Sequence, residues 1–406
     1  MNNRTTIPSR STVTLDSVNG DLIVEEHTVV KGTGSPPTVK VSGTIHCRGH
    51  NTFECDLSAE RLQTERDVRI NGNLNIRDEV RAEDGRLEVQ GSLSAKEVDV
   101  DEALYVGKWL TAETVEVGGR LEVVEKTKVR SIDVGGSFRA KGEVEAEDVD
   151  VGGSFSVESN VVIEHLDVGG AARVHGGKIK NIDIGGSFES NATLEFEEIE
   201  VGGTVRLTGN CKGGDVDVGG VFEVKGNLKF GKIGVGGKVT ISESAEGREI
   251  EVGGKVEIEG SLKLSGDLEV GGKAEIGKEL SAEDIEIGGV LEAQKVAASN
   301  RVEVGGSIRT DQGLTAAFIE IGRRGEVRGD LKADEVIIGK DAQAENVFGK
   351  RILLRRGASV ANVYGEEITI ESDCNIAGEI QYTHELRADA HVSMAKTPVK
   401  VDKLPF

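Results

Sequence analysis

The sequence has 406 residues, of which 55 are glycine and only 3% are aromatic, and its formal net charge is −22. Such an acidic chain is not expected to bind nucleic acid, because phosphate binding needs clustered Lys and Arg. The hydrophobic share of 37% argues against general disorder and allows a continuous core. The high glycine content favours a repetitive architecture.

The N-terminal segment 1–14 is polar, and we expect it to be flexible. This segment lacks the apolar stretch of a secretory signal, and no later run is long enough to cross a bilayer. The chain has four cysteines, which is typical of a reduced compartment when no export signal is present. A cytoplasmic location is therefore expected, with attachment to the membrane periphery left open.

A group of soft metal ligands follows at His46, Cys47, His50 and Cys55. Their spacing matches no standard zinc pattern, because a second ligand pair at longer separation is missing. His46 and Cys47 would also point to opposite faces of a strand. We expect ordinary strand and corner residues with the cysteines packed inward, and we predict no metal and no cofactor.

The dominant feature is a column of Gly-Gly pairs. Nearly all intervals between successive pairs have the length of the step from Gly118 to Gly135, and the exceptions differ by a single position. The same phase continues through Gly322 and Gly339 after the second glycine is lost. The first members of the pairs are Gly118, Gly135, Gly152, Gly169, Gly185, Gly202, Gly219, Gly236, Gly253, Gly271, Gly288 and Gly305.

Apolar residues keep fixed places in each repeat. An apolar–polar–apolar triplet precedes each glycine pair, a second follows it, and a third, looser one completes the unit. Alternation of period two indicates half-buried strands. Three short strands in a repeat of about 17 residues predict one triangular coil of a parallel β-helix. The helix is expected to be continuous over positions 15–392, with the glycines at a corner that needs positive φ and close backbone approach.

Two inner columns are predicted from this pattern. The first contains Phe138, Phe155, Phe188, Val205, Phe222, Val239 and Val256, and the second contains Val157, Val174, Leu207, Val224, Ile241 and Ile258. Coil length barely changes between Gly118 and Gly339. Without inserted loops no pocket is expected for a paired acid and base, so we predict that the protein is not an enzyme.

An acidic residue stands two positions before the first glycine in nearly every repeat, and only Gly234 interrupts the column. Stacked like charges repel one another. The column is interpreted either as a solvated face that keeps a repetitive protein soluble or as a docking strip for a basic partner or divalent cations. Its acidic members are Glu116, Asp133, Asp150, Asp167, Asp183, Glu200, Asp217, Glu251, Glu269, Glu286, Glu303 and Glu320.

The C-terminal part, residues 322–392, resembles the bactofilins, the polymer-forming cytoskeletal proteins, and their archaeal relatives. The resemblance lies in V-x-G-D-L at Val327–Leu331, A-x-V-x-x-V-Y-G at Ala358–Gly365 and I-x-G-E-I at Ile376–Ile380. It implies a right-handed parallel β-helix that polymerises end to end without nucleotide and positions other proteins. The chain is several times longer than a typical bactofilin domain, and residues 393–406 form a tail.

The expected function is therefore a structural cytoskeletal scaffold whose main partner is itself, with other proteins or the membrane periphery as further partners. The alternative is a glycan-binding or glycan-cleaving β-helix protein. Phe348, Tyr364 and Tyr382 recur at steps of nearly one repeat and predict an aromatic ladder. The ladder is interpreted either as part of a self-association contact or as packing inside the last coils.

Overall fold

The computed structural model describes residues 3–405, and these residues form β-strands, turns and bends without any helix. The chain divides into two compact units, unit 1 ending at Gly202 and unit 2 beginning at Gly203. Each unit is a stack of coils in which every named strand pairs with its neighbour in parallel. The predicted all-β parallel solenoid is confirmed, whereas its right-handed sense stays a prediction.

In the segment 1–14, which was expected to be flexible, residues 4–7 form one strand and residue 12 begins another, and both strands pair with the next coil. One coil is longer than the others, since Leu22 pairs with Ile45. The strands of unit 1 are Arg4–Ile7, Thr12–Leu15, Ser17–Val18, Asp21–Val24, Val29–Gly32, Thr38–Val41, Thr44–Cys47, Asn51–Glu54, Asp56–Ala59, Arg61–Thr64, Val68–Ile70, Leu74–Ile76, Glu79–Ala82, Arg86–Val89, Leu93–Ser94, Glu97–Val100, Ala103–Val106, Trp109–Val117, Arg120–Val123, Lys126–Val134, Ser137–Ala140, Val144–Val151, Ser154–Val168, Ala171–Ile184, Ser187–Ser190 and Leu194–Val201.

Unit 2 continues the same kind of coil into the predicted tail, where two short strands pair with the preceding coil. The strands of unit 2 are Thr204–Thr208, Cys211–Lys212, Asp215–Val218, Val221–Lys225, Leu228–Lys229, Lys232–Val235, Lys238–Ile241, Ala245–Gly247, Glu249–Val252, Lys255–Ile258, Leu262–Leu264, Leu268–Val270, Lys273–Ile287, Val290–Val304, Ser307–Thr310, Leu314–Thr315, Phe318–Ile321, Val327–Arg328, Asp330–Ile338, Gln343–Leu354, Ser359–Ile370, Asn375–Ile376, Ile380–Ala388, Ser393–Met394 and Val399–Lys400.

Each coil has three sides, which we name by their position relative to the glycine pair. Side A ends immediately before the pair, side B begins after it, and side C completes the coil. In unit 1 one such coil contains residues 131–134, 137–140 and 144–146. Buried and outward residues alternate along all three sides. Apolar side chains therefore fill the interior, and polar ones form the outer columns.

The predicted inner columns are confirmed. Phe155 in unit 1 and Phe222 in unit 2 are at most 1% exposed. Phe138 and Phe155 occupy equivalent places in successive coils, and their ring centroids are 5.4 Å apart. All other predicted members of both columns are also buried. Because equivalent residues lie one inter-strand spacing apart, the members of each column stack on one another within their unit, and the buried Ser190 is the polar residue that follows Val174 in the second column.

Of the two causes predicted for the glycine corner, positive φ is wrong and close backbone approach is confirmed. None of the paired glycines has a left-handed φ. A Cβ on Gly152 would instead lie 2.4 Å from the carbonyl oxygen of Gly135, one coil earlier. The same clash recurs within unit 2, where a Cβ on Gly288 would lie 2.3 Å from the oxygen of Gly271. Glycine is required because successive backbones approach closely at this corner.

Candidate interaction surfaces

The acidic column of unit 1 forms an in-register ladder on the outside of side A. Successive members pair directly as strand neighbours, from Glu116 to Glu200. The column extends to Asp99, which pairs with Glu116, precedes no glycine pair and lies 3.9 Å from Arg81. Asp99 was missed because the column was identified from the glycines. The alternation Val98-Asp99-Val100 is the signal that could have found it.

The carboxylates from Glu116 to Glu200 are exposed and form no ion pair with any residue among 3–405. The other outward-facing column on side A, two positions before the carboxylates, contains no Lys or Arg over these coils. Its residues are Ser131, Asp148, His165, Asn181 and Glu198. Burial and the neighbouring carboxylates of Asp150 and Asp183 raise the pKa of Asp167. From Glu116 to Glu200 the ladder is therefore a like-charge array without a countercharge on its own face.

The acidic column of unit 2 is partly compensated. The members from Glu251 to Glu320 pair in register, coil by coil. Lys232 lies 3.2 Å from the Glu251 carboxylate, and Arg301 lies 3.8 Å from Glu320 and also contacts Glu303. In the next coil the column changes character, because Ile337 pairs with Glu320.

Side B of unit 2 carries a second charged array, in which lysines and glutamates interleave between coils. Lys255 contacts Glu257 and lies 2.7 Å from Glu275, while Lys273 contacts Glu275 and lies 3.1 Å from Glu292. We call this array the lysine–glutamate zipper; Lys238 and Arg309 extend it at its two ends. The two lysines that flank Glu257 lower its pKa from 4.5 to about 2.

A shallow groove of about 590 Å³ runs beside the zipper. It lies at the corner between sides B and C, where Gly277 replaces the longer side chains Glu259 and Gln294 of the adjacent coils. The groove is open to solvent and has both polar and apolar lining, and most of its carboxylates already have a lysine or arginine partner. Neither the groove nor the zipper was predicted. A column in the sequence shows which residues stack on one another, but not which side chains extend far enough to contact a neighbouring coil.

The aromatic ladder is shorter than predicted and lies outside the coils. Phe348 and Tyr364 pair in register on side C, with ring centroids 4.9 Å apart and nearly parallel rings. Both are half-buried on the outer face. The third place in their column is held by Gln381, whereas Tyr382 pairs with Gly365. Tyr382 therefore lies on the opposite side of the strand and does not extend the stack.

The four soft ligands near the N-terminus do not converge. Cys47 and Cys55 are buried in the core, and burial raises the pKa of both thiols, to about 11 for Cys55. His46 lies on the outer face of its strand, and His50 lies at a corner, stacked on His27. Within residues 3–405 no cluster of His, Cys, Asp and Glu has the arrangement of a metal site.

The same described residues contain no helix that is long and apolar enough to cross a membrane. The mapped surfaces are thus one unpaired acidic ladder, one zipper with its groove, and one aromatic pair.

The chain matches no protein-family model, no curated protein and no solved structure.

Proposed function

We propose that this protein is a structural cytoskeletal scaffold that assembles with itself, without nucleotide, and positions partner proteins. The observation that carries the proposal is the regularity of both units. Their coils repeat the same three sides with in-register columns, so each unit presents long, periodic outer faces. Repetitive faces of this kind suit binding to many copies of a partner, since each coil offers an equivalent place. The resemblance of residues 322–392 to bactofilins supports the same function.

A self-association contact at the last coils is part of this proposal. In the strand Ile380–Ala388, the segment from Glu385 onward pairs with the preceding coil but with no later strand among the described residues. Of its inner residues, Leu386 is therefore only half-buried and Ala388 is exposed. Unpaired strand edges favour pairing with another chain. The half-buried pair of Phe348 and Tyr364 lies in nearby coils and offers apolar area for the same contact.

Negative-stain electron microscopy and sedimentation velocity of the full chain test the scaffold, without added nucleotide and over a range of concentrations. We expect polymers or end-to-end oligomers. The variant Tyr364→Arg should shorten or abolish them, while circular dichroism shows an unchanged β-sheet signal. Strictly monomeric protein under all conditions would contradict the scaffold function.

A glycan-binding function is the second candidate, and the groove beside Gly277 is the observation that favours it. Glu259, Gln294 and Asp311 line the groove and have no ion-pair partner among the described residues, so they could accept sugar hydroxyl hydrogen bonds. Binding on a glycan array that Gln294→Ala and Asp311→Ala together remove, while circular dichroism shows an unchanged β-sheet signal, would support this function. If no glycan on the array is bound and the protein forms filaments, the scaffold function is supported and the glycan-binding function is rejected.

Non-enzymatic action and a cytoplasmic location, at or away from the membrane periphery, belong to the same proposal. A scaffold needs extended binding faces and no reacting groups. Purified protein that neither cleaves glycans nor requires a cofactor to assemble is the expected result. Turnover of any polysaccharide in the same assay would replace this proposal with the enzymatic alternative.

A further inference from the structure

The corner between sides A and B changes abruptly within unit 2. Up to Gly305 and Gly306 it is the glycine pair, but in the next coils it becomes a four-residue turn. The third residue of each turn has a left-handed φ, as in Arg324 and Asp341. The longer turn makes room for side chains that the glycine corner excludes.

These turns concentrate positive charge in a chain whose net charge is −22. All five of their basic side chains are exposed, and they belong to three successive coils. We call this group the basic corner; it consists of Arg323, Arg324, Lys340, Arg355 and Arg356.

The basic corner is only partly neutralised by its own chain. Arg323 lies 3.9 Å from Asp341, and Arg356 lies 2.9 Å from Asp373. Arg324, Lys340 and Arg355 form no ion pair with a residue in the range 3–405. Arg324 also holds a left-handed φ of 58°, which a glycine would adopt at lower energy. Three cations therefore face solvent without a local partner.

An apolar strip borders the basic corner on side A. Ile337 and Leu353 pair with each other on the outer face, in the column that is acidic up to Glu320. Both are half-buried. A surface with apolar residues beside unpaired cations is typical of a binding surface for an anionic partner.

Unit 1 provides an anionic surface with a matching period. Its side A ladder has one unpaired carboxylate per coil and no countercharge on the same face. The carboxylates border the glycine corner, where no side chain obstructs an approaching molecule. The ladder has one carboxylate per coil at the common strand spacing of about 4.8 Å, and the basic corner has one unpaired cation on each of three successive coils, at different positions of the turn. Cations on successive coils of one molecule can thus face carboxylates on successive coils of another.

We propose that the basic corner of one copy binds the acidic ladder of unit 1 of a second copy, side to side. This inference rests on the proposed self-assembly and names its lateral contact, which is separate from any contact between terminal coils. Each exposed ion pair is individually weak, so the contact depends on several pairs in register and on ionic strength. Lateral association should therefore be strong at about 0.01 M salt and lost near 1 M, where the Debye length falls to about 3 Å.

Charge exchange tests the contact in the full chain. The corner variant carries Arg324→Glu, Lys340→Glu and Arg355→Glu, and the face variant carries Asp133→Lys, Asp150→Lys and Asp183→Lys. Each variant alone should show at least a tenfold weaker lateral association by sedimentation velocity at low salt. An equal mixture should recover it, because each variant then meets a surface of opposite charge.

The matched control carries Lys212→Glu, Lys263→Glu and Lys278→Glu, which changes the net charge of unit 2 by the same amount outside the basic corner. It should associate as the unchanged protein does, and circular dichroism should show that all variants fold. Association that is unaffected in the corner and face variants, or that the mixture fails to restore, would overturn the proposal.

Two further outcomes separate the alternatives. Filaments that persist in all variants, without salt-sensitive lateral association, would reject this contact and leave the scaffold function intact. Absence of every assembly in the unchanged protein would reject both. Vesicles containing phosphatidylglycerol test the other anionic surface. If the corner variant loses vesicle binding while association between copies is unaltered, the corner binds lipid and this proposal is wrong.

Discussion

Side A of unit 1 and side B of unit 2 have the same strand spacing but opposite arrangements of charge, with like charges stacked in the first and opposite charges interleaved in the second. In unit 1 successive carboxylates stack on one another without a cation, and neighbouring charges help to raise the pKa of Asp167. In unit 2 each glutamate of the zipper lies between cations, and the pKa of Glu257 falls to about 2. In a solenoid whose coils are in register, the same contact between charges recurs at each step of a column. The repulsion or the ion pairing between two neighbouring coils is therefore repeated along the whole column.

The comparison holds only if the two regions share an equivalent core. Phe155→Ala in unit 1 and Phe222→Ala in unit 2 should each lower the free energy of unfolding by about 3–5 kcal/mol, because each removes a fully buried ring and leaves a cavity. Urea unfolding followed by hydrogen exchange with mass spectrometry would locate each loss in its own unit. Unchanged stability of either variant would refute the assignment of the inner face.

Backbone packing at the glycine corner is the next largest effect. Gly152→Ala should lower the free energy of unfolding by about 1–3 kcal/mol, since the added Cβ would lie 2.4 Å from the Gly135 oxygen. The control is Gly234→Ala in the acidic column of unit 2, where the nearest atom to a Cβ is 3.9 Å away. Its effect should stay within about 0.5 kcal/mol in a thermal melt. Equal effects at both positions would show that coil spacing does not select glycine.

Neutralising one carboxylate should change the free energy of unfolding in opposite directions in the two regions. Asp150→Asn should stabilise unit 1 by about 0.2–1 kcal/mol, because it removes two like-charge contacts. Glu275→Gln should destabilise unit 2 by about 0.5–1 kcal/mol, because it weakens the contacts with Lys255 and Lys273. Both changes should shrink in high salt. If chemical unfolding showed that both variants are stabilised, or that both are destabilised, the two regions would not differ in how their charges interact.

Acidification gives the smallest and most selective effect. The folded-state pKa of Asp167 is raised above its ordinary value of 3.8, so the repulsion present at neutral pH is relieved as the pH falls toward 3.8. The folded-state pKa of Glu257 is lowered, so the stability it provides is full above 4.5 and is lost as the pH falls toward about 2. Hydrogen exchange, corrected for intrinsic rates, should show the zipper loosening at a pH where the ladder does not. Parallel loosening of both would contradict these directions.

Much of the fold could be predicted because a solenoid repeats its local rules. Alternation assigned Phe155 and Val157 to the interior, and the constant period placed Asp150 beside Asp167. The aromatic ladder was predicted less well, since it needed the length of one particular coil. Tyr364 pairs with Gln381, so Tyr382 falls one position beyond the column. Approximate step length along the chain cannot reveal a difference of one position, yet that difference reverses the face of the strand.

The sequence by itself determined the strands, the inner columns and the like-charge ladder, because each depends only on spacing along the chain and on alternation across a strand. The tertiary structure decided which charges meet between coils. Lys255 reaches Glu275 in the next coil, and Arg324, Lys340 and Arg355 gather at one corner. These groupings depend on side-chain reach and turn geometry across stacked backbones, and the order of residues in a single coil contains neither.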